Sequence, residues 1–100
     1  MPDERPLTGV RVLELVTGPM AAISRTYVEL GADVIRLEPS RGADDRSSGL
    51  CVKGISLEFA TTNLGKRSAL TDRLDTLVSD ADIMIAPRGA VDPARRRGQI

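Results

Sequence analysis

Apolar positions along the chain fall into short runs, and the spacing within a run alternates between two residues and a helical repeat. Val10 to Leu15 reads Val-Arg-Val-Leu-Glu-Leu after the turn signal Thr8-Gly9, which predicts a first β-strand. Thr17, Gly18 and Pro19 break it, and Pro19 suits the first turn of a helix. Met20, Ile23, Tyr27 and Leu30 then recur at helical spacing until Gly31 supplies a C-terminal stop. Ala32 to Glu38 carries the next apolar run and ends at Pro39. A helix between two strands predicts that they lie parallel, joined by a right-handed crossover.

Ser40 to Gly54 is rich in Gly, Ser, Asp and Arg and reads as a long surface loop, either ligand-binding or disordered. Ile55, Leu57 and Phe59 alternate with Ser56, Glu58 and Ala60, a pattern open to a strand, a short helix or a turn. Ser68 to Thr71 fits a short strand, Asp72 an N-cap, and Leu74, Leu77 and Val78 one face of a short helix ending near Asp80. Ile83-Met84-Ile85 within Ala81 to Ala86 predicts a buried strand, and the remainder, with Pro87, Gly89, Pro93 and Arg95-Arg96-Arg97, predicts a loop. This alternation gives the fold class α/β, a sandwich with a small parallel sheet that takes ligands at the carboxyl ends of its strands.

Composition narrows the function classes. At 100 residues the chain is one domain at most, and 41% hydrophobic with 28% charged residues fits a globular protein. Fourteen cations balance fourteen anions, so no overall field favours nucleic acid or an anionic membrane. The opening Met-Pro-Asp-Glu-Arg-Pro is unlike a secretory signal, and no apolar run approaches the roughly 18 residues of a membrane span, so the expected location is cytoplasmic. With one cysteine and no histidine, an internal disulfide, a Cys/His zinc site and Ser-His-Asp or Cys-His catalysis are excluded within the chain. Cys51, in a loop without a neighbouring histidine, is read as chemically ordinary. Any chemistry rests on carboxylates, lysine or a bound cofactor, and no metal ligand set is expected.

The turn Val16-Thr17-Gly18-Pro19 offers backbone N–H groups and a positive helix end to a phosphate. A dinucleotide fingerprint needs further glycines, and only Gly18 is present. Glu38 stands where such a fingerprint has its ribose-binding acid; otherwise it is a solvated strand end. Asn63-Leu64-Gly65-Lys66-Arg67-Ser68 lacks the first glycine of a Walker A loop, so Lys66 and Arg67 either bind phosphate or pair with carboxylates.

Five segments taken together carry a resemblance. Pro-Leu-Thr-Gly-Val-Arg-Val-Leu-Glu-Leu at 6–15, Gly18-Pro19, Leu-Gly-Ala-Asp-Val-Ile-Arg-Leu-Glu at 30–38, Asn63 with Lys66-Arg67-Ser68, and Ala-Asp-Ile-Met-Ile at 81–85 stand in this order. The chain thereby resembles the N-terminal part of family III CoA-transferases, the CaiB/BaiF group that includes formyl-CoA and carnitine CoA-transferases and α-methylacyl-CoA racemase. The resemblance implies a Rossmann-like, incomplete domain over 1–100, the first part of a larger subunit of which two interlock. CoA would lie across the ends of the first strands. In transferases of this group a downstream aspartate takes the acyl group as a mixed anhydride; no residue here matches it, so the segment is expected to be silent alone.

Carried over residue by residue, the resemblance points to Val16, Thr17 and Gly18 at the first turn, to Arg41 as substitute for the basic residue replaced by Pro39, and to Thr71 and Asp72 after the Lys-Arg-Ser motif. Arg88 and Arg96 are further cations for phosphate. The first turn and the helix after Ser68 are shorter than in the family, and Ala86-Pro87-Arg88-Gly89 replaces its Asn-Phe-x-Pro-Gly. The implied substrate is CoA or an acyl-CoA thioester with no tightly bound cofactor, and the implied partner is a second copy or a longer transferase chain. Two other readings are an accessory domain pairing with a larger transferase and an independent nucleotide-binding domain.

Overall fold

A computed structural model describes residues 4–87 of the chain. The elements in chain order are β1 (Arg11–Glu14), α1 (Ala22–Glu29), β2 (Asp33–Glu38), β3 (Cys51–Val52), β4 (Ile55–Ser56), α2 (Leu57–Asn63), β5 (Arg67–Leu70), α3 (Leu74–Val78) and β6 (Ile83–Ile85). Short 3-10 turns at Gly18–Ala21, Asp44–Ser47 and Thr71–Arg73 precede α1, β3 and α3. Arg88, Arg96 and the arginine run lie outside the described residues.

The four-stranded sheet has the order β5-β2-β1-β6, and each adjacent pair is parallel. β1 and β2 run in register from Arg11 opposite Asp33 to Glu14 opposite Arg36. The first crossover therefore has the form that the sequence predicts. The chain moves outward from β1 through β2 to β5 and then returns to the other side of β1 for β6. Order reversal of this kind leaves a crevice at the carboxyl ends of the central strands.

Alternation along the strands gives the sheet two different faces. Leu13, Ile35 and Leu37 form one buried cluster with Leu74, and Leu77 and Val78 of α3 pack against it. Val12, Ala32 and Val34 form the other, covered by Tyr27 and Val28 of α1. Each apolar side chain of this size contributes about 1.5–3 kcal/mol when buried. The second face is apolar only at its amino-terminal half. Further along the same face stand Glu14, Arg36 and Glu38, all nearly or wholly buried.

Local chemistry explains where several elements begin. Ser56 closes β4 and accepts a hydrogen bond from Phe59 N at 3.1 Å, an N-cap that starts α2. The open pattern at 55–60 thus resolves into a very short strand followed by a helix. Lys53 and Gly54, with φ of 52° and 79°, make the two-residue turn between β3 and β4. The 40–54 segment is accordingly built rather than featureless, and its Asp45 is buried. Asp72 does not cap α3: residues 71–73 wind as a 3-10 turn directly into the helix, and Arg73 holds the N-cap position without a side-chain bond.

Helix α1 departs from its predicted face. Met20, Ile23 and Leu30 are exposed, whereas Ser24 is fully buried. Tyr27, a member of the predicted face, does pack against the sheet, and Val28 joins it. Among the described residues no helix is long and apolar enough to cross a membrane.

Candidate functional site

The carboxyl edge of the sheet gathers loops from three neighbouring strands. Val16 to Gly18 follow β1, Arg41 follows β2, and Thr71 and Asp72 follow β5, and these strands are adjacent in the order β5-β2-β1. Thr17, Arg41, Thr71 and Asp72 are exposed, Gly18 is half-buried, and Val16 is buried at 2% exposure. Val16 therefore supports the turn from within.

Beneath this edge lies a buried charge network that ties distant segments together. Arg36, 2% exposed, donates from one terminal nitrogen to Asn63 Oδ1 at 2.8 Å and from the other to Asp45 Oδ1. Its Nε is 3.3 Å from Glu38 Oε1. Asp45 accepts from Gly18 N through its other oxygen at 2.9 Å. Lys66 Nζ donates to both oxygens of Glu14 at 3.1 and 2.8 Å, to Ala21 O at 2.7 Å and to Asn63 Oδ1 at 2.9 Å. Glu38 accepts from Arg46 Nε and a terminal nitrogen at 2.7 and 2.6 Å, and from Ser68 Oγ at 2.7 Å. Phe59 receives the guanidinium groups of both Arg36 and Arg46, 5.0 and 4.6 Å from its ring centre.

Burial and pairing pull these groups in different directions. Desolvation is the main cause that raises the Glu14 carboxyl above 4.5, opposed by Lys66. The same burial lowers Lys66 below 10.5, opposed by Glu14. Glu38 behaves differently: the Arg46 hydrogen bond outweighs desolvation and holds its carboxyl at about 2. Arg46 is correspondingly raised by Glu38. The three carboxylates Glu14, Glu38 and Asp45 are matched by Arg36, Arg46 and Lys66, which is the condition for such burial to be tolerated.

Of the residues read from the sequence, Lys66 and Arg67 both pair with carboxylates, Lys66 with Glu14 and Arg67 with Asp33 at 2.7 Å. Glu38 is neither solvated nor free, being 3% exposed with its oxygens engaged. Cys51 is exposed on the β3–β4 hairpin. Sequence reading missed Glu14, Arg36, Asp45 and Asn63 as structural anchors. A signal was available: Val12 and Glu14, and Val34, Arg36 and Glu38, sit two apart and must share one face of their strands.

A cavity of about 460 Å³ opens beside this network, lined by Gly18, Ala22, Asp45, Leu57, Phe59 and Thr62 among others. Of the described candidate residues Gly18 alone lines it. A second cavity of about 330 Å³ lies over Arg36, Arg46, Phe59 and Lys66. Among the described residues no group of three or more His, Cys, Asp or Glu side chains is arranged to hold a metal ion.

These features define a small parallel α/β segment with a loop-built edge over a buried ionic base. Residues 7–95 match the family model of CoA-transferase family III, and the chain belongs to that family. It is 36% identical over 105 aligned positions to the succinate–glutarate CoA-transferase of Agrobacterium fabrum, covering 85% of this chain and 26% of that one. It is 35% identical over 71 positions to Probable CoA-transferase Rv1866 of Mycobacterium tuberculosis, covering 63% of this chain and 9% of the relative. Among solved structures, a CaiB/BaiF family protein from Brucella suis superposes with a TM-score of 0.71 at 31% identity, covering 82% of this chain and 25% of that one. A mutant of Rv3272 from M. tuberculosis gives 0.75 at 26% identity, with 94% and 30% covered. The chain thus spans about a tenth to a quarter of the curated relatives it matches.

Proposed function

We propose that this chain is the Rossmann-like, CoA-binding N-terminal segment of a family III acyl-CoA transferase, an enzyme moving CoA between an acyl-CoA and a carboxylic acid. The observation that carries the reading is the set of three loops after β1, β2 and β5, side by side at the carboxyl edge of a parallel sheet. Thr17, Gly18, Arg41, Thr71 and Asp72 are the contacts proposed there, with Val16 shaping the turn and Arg88 and Arg96 as further cations. Arg41 is the phosphate partner expected to matter most, because guanidinium binds phosphate with directed hydrogen bonds. Acyl transfer itself belongs to a carboxylate outside these hundred residues, so the segment alone binds without turning over.

Calorimetric titration of the 100-residue chain with CoA, with NAD and ATP as controls, tests this reading. Saturable binding of CoA alone, weakened by Arg41→Ala, supports it. Binding of NAD or ATP in preference to CoA, or of none of them, overturns it.

Exposed apolar side chains favour a second reading, an accessory role in which the segment pairs with another chain. Met20, Ile23, Leu57 and Leu64 are each between 44% and 63% exposed, and large apolar groups left in water mark interaction surfaces when they cluster. Light scattering on the purified chain, alone and mixed with a complete family III transferase, distinguishes a second copy from a longer partner.

A further inference from the structure

The turn that follows β1 is fixed from below at both ends, by side chains from remote parts of the sequence. At its start, Gly18 N donates to Asp45 Oδ2 at 2.9 Å across 27 residues. At its end, Ala21 O accepts from Lys66 Nζ at 2.7 Å across 45 residues. Asp45 cannot swing away without cost, because Arg36 holds its other oxygen and is itself held by Asn63. Lys66 is equally confined, with its remaining contacts on Glu14 and the same Asn63. Asn63 Oδ1 therefore accepts from Arg36 and Lys66 at once, joining the two supports.

We infer that Asp45 and Lys66 are positioning residues for the CoA-binding turn, a clamp that sets where Thr17 and Gly18 stand. Asp45 acts through the Gly18 amide, taking up an N–H that an anionic ligand would otherwise engage, so ligand phosphate is left to side chains and to other amides. The clamp deepens the reading of Thr17 as a CoA contact and confines any contact of Gly18 to its carbonyl and Cα, the N–H being spent on Asp45, and it rests on that reading. Its strength comes from desolvation: both supports are buried, Asp45 at 6% exposure and the Lys66 side chain at 1%, where a fixed charge–dipole contact is not diluted by water. Two anchors on a short turn remove freedom that a ligand would otherwise have to freeze on binding.

Hydrogen exchange of the Gly18 amide and CoA titration, on the same set of variants, test the clamp. Asp45→Asn keeps the side-chain volume but puts an NH2 group toward one of the two donors; Asp45→Ala removes the acceptor. Leu77→Ala on the opposite face of the sheet is the control, since it weakens core packing without touching the turn. Asp45→Ala is expected to speed Gly18 exchange and to weaken CoA by at least about tenfold, as a displaced contact does, with Asp45→Asn intermediate. Leu77→Ala is expected to lower stability and leave CoA affinity of the folded chain unchanged. Equal CoA affinity in Asp45→Ala and the parent, or equal losses in Asp45→Ala and Leu77→Ala, overturns the clamp. If the parent chain does not bind CoA, the function proposed above fails, and Gly18 exchange still decides the clamp: protection unchanged in both Asp45 variants overturns it. Should Asp45→Ala not fold, Asp45→Asn and Lys66→Met carry the same two measurements.

Discussion

Lys66 Nζ sits 2.8 Å from Glu14 Oε2, although 52 residues separate the two in sequence. Both side chains are out of water, at 1% and 0% exposure. Replacing Lys66 by Met leaves Glu14 buried without its hydrogen-bonded counter-ion, with only the more distant attraction of Arg36 remaining, and the unfolding free energy is expected to fall by about 3 kcal/mol. Adding Glu14→Leu removes the orphaned charge and is expected to recover much of that loss. Urea denaturation of the two single variants and the double variant measures the coupling.

Acid sensitivity should come from Glu38. Its carboxyl lies at about 2 in the folded chain against an ordinary 4.5, first because Arg46 bonds it. A carboxyl lowered by folding stabilises the fold above its unfolded value, and that contribution is lost as the pH falls from 4.5 toward 2. Glu14 has the opposite sign, being raised by burial, so its protonation favours the fold. Thermal unfolding followed from about pH 5 to pH 2 is expected to show a flatter acid limb in Glu38→Gln and no flattening in Glu14→Gln.

Gly65 allows the α2–β5 connection to pass close to α1. Its φ is +86°, and a Cβ there would lie 2.7 Å from Val28 Cγ1. Gly65→Ala combines a left-handed backbone with a steric overlap and is expected to cost about 1–3 kcal/mol. Val28→Ala has its own packing cost, since Val28 covers the Val12, Ala32 and Val34 cluster, so the steric part is the amount by which Gly65→Ala costs less in the Val28→Ala background than in the parent. Midpoints of thermal unfolding for the two single variants and the double variant separate the contributions.

Association through α1 is a further expectation. Met20, in the 3-10 turn that leads into α1, and Ile23, in its first turn, are 53% and 46% exposed. The double change Met20→Ser and Ile23→Ser is expected to weaken self-association of the chain by about tenfold or more, with the circular dichroism of the monomer unchanged. Sedimentation at several concentrations reads this directly.

The βαβ unit was legible because strand and helix periods follow each other cleanly from Val10 to Glu38 and Gly31 and Pro39 mark the stops. β6 was legible as a strand for the same reason, as Ile83-Met84-Ile85 is an isolated apolar run, although at the edge of the sheet its residues are half-buried and not buried as expected. The charged base was not. Glu14, Arg36 and Glu38 were absorbed into apolar runs, since a charge inside a strand reads as facing water unless its partner is known. Those partners, Lys66, Asp45 and Arg46, come from loops or loop-proximal positions whose spacing to the strands carries no periodic signal. The helix at 57–63 was ambiguous because its one decisive feature, the Ser56 cap on Phe59 N, is a single local bond set within an alternating pattern. The exposure of Met20 and Ile23 was equally hidden, because helical spacing tells which residues share a side and not what covers it.

The balanced base under the sheet also sets a rule for recombining this segment with its relatives. Arg36 is supplied by β2, its counter-ion Asp45 by the following loop, and its third partner Asn63 by α2. A chimera that imports only the 40–48 stretch from another sequence takes Asp45 from Arg36 and Arg46 from Glu38, leaving that buried acid and base with only each other. Two portions can be exchanged without leaving a stranded charge: residues 36–46, which hold Arg36, Glu38, Asp45 and Arg46 together, and the longer stretch from Glu14 to Lys66, which adds the second buried pair.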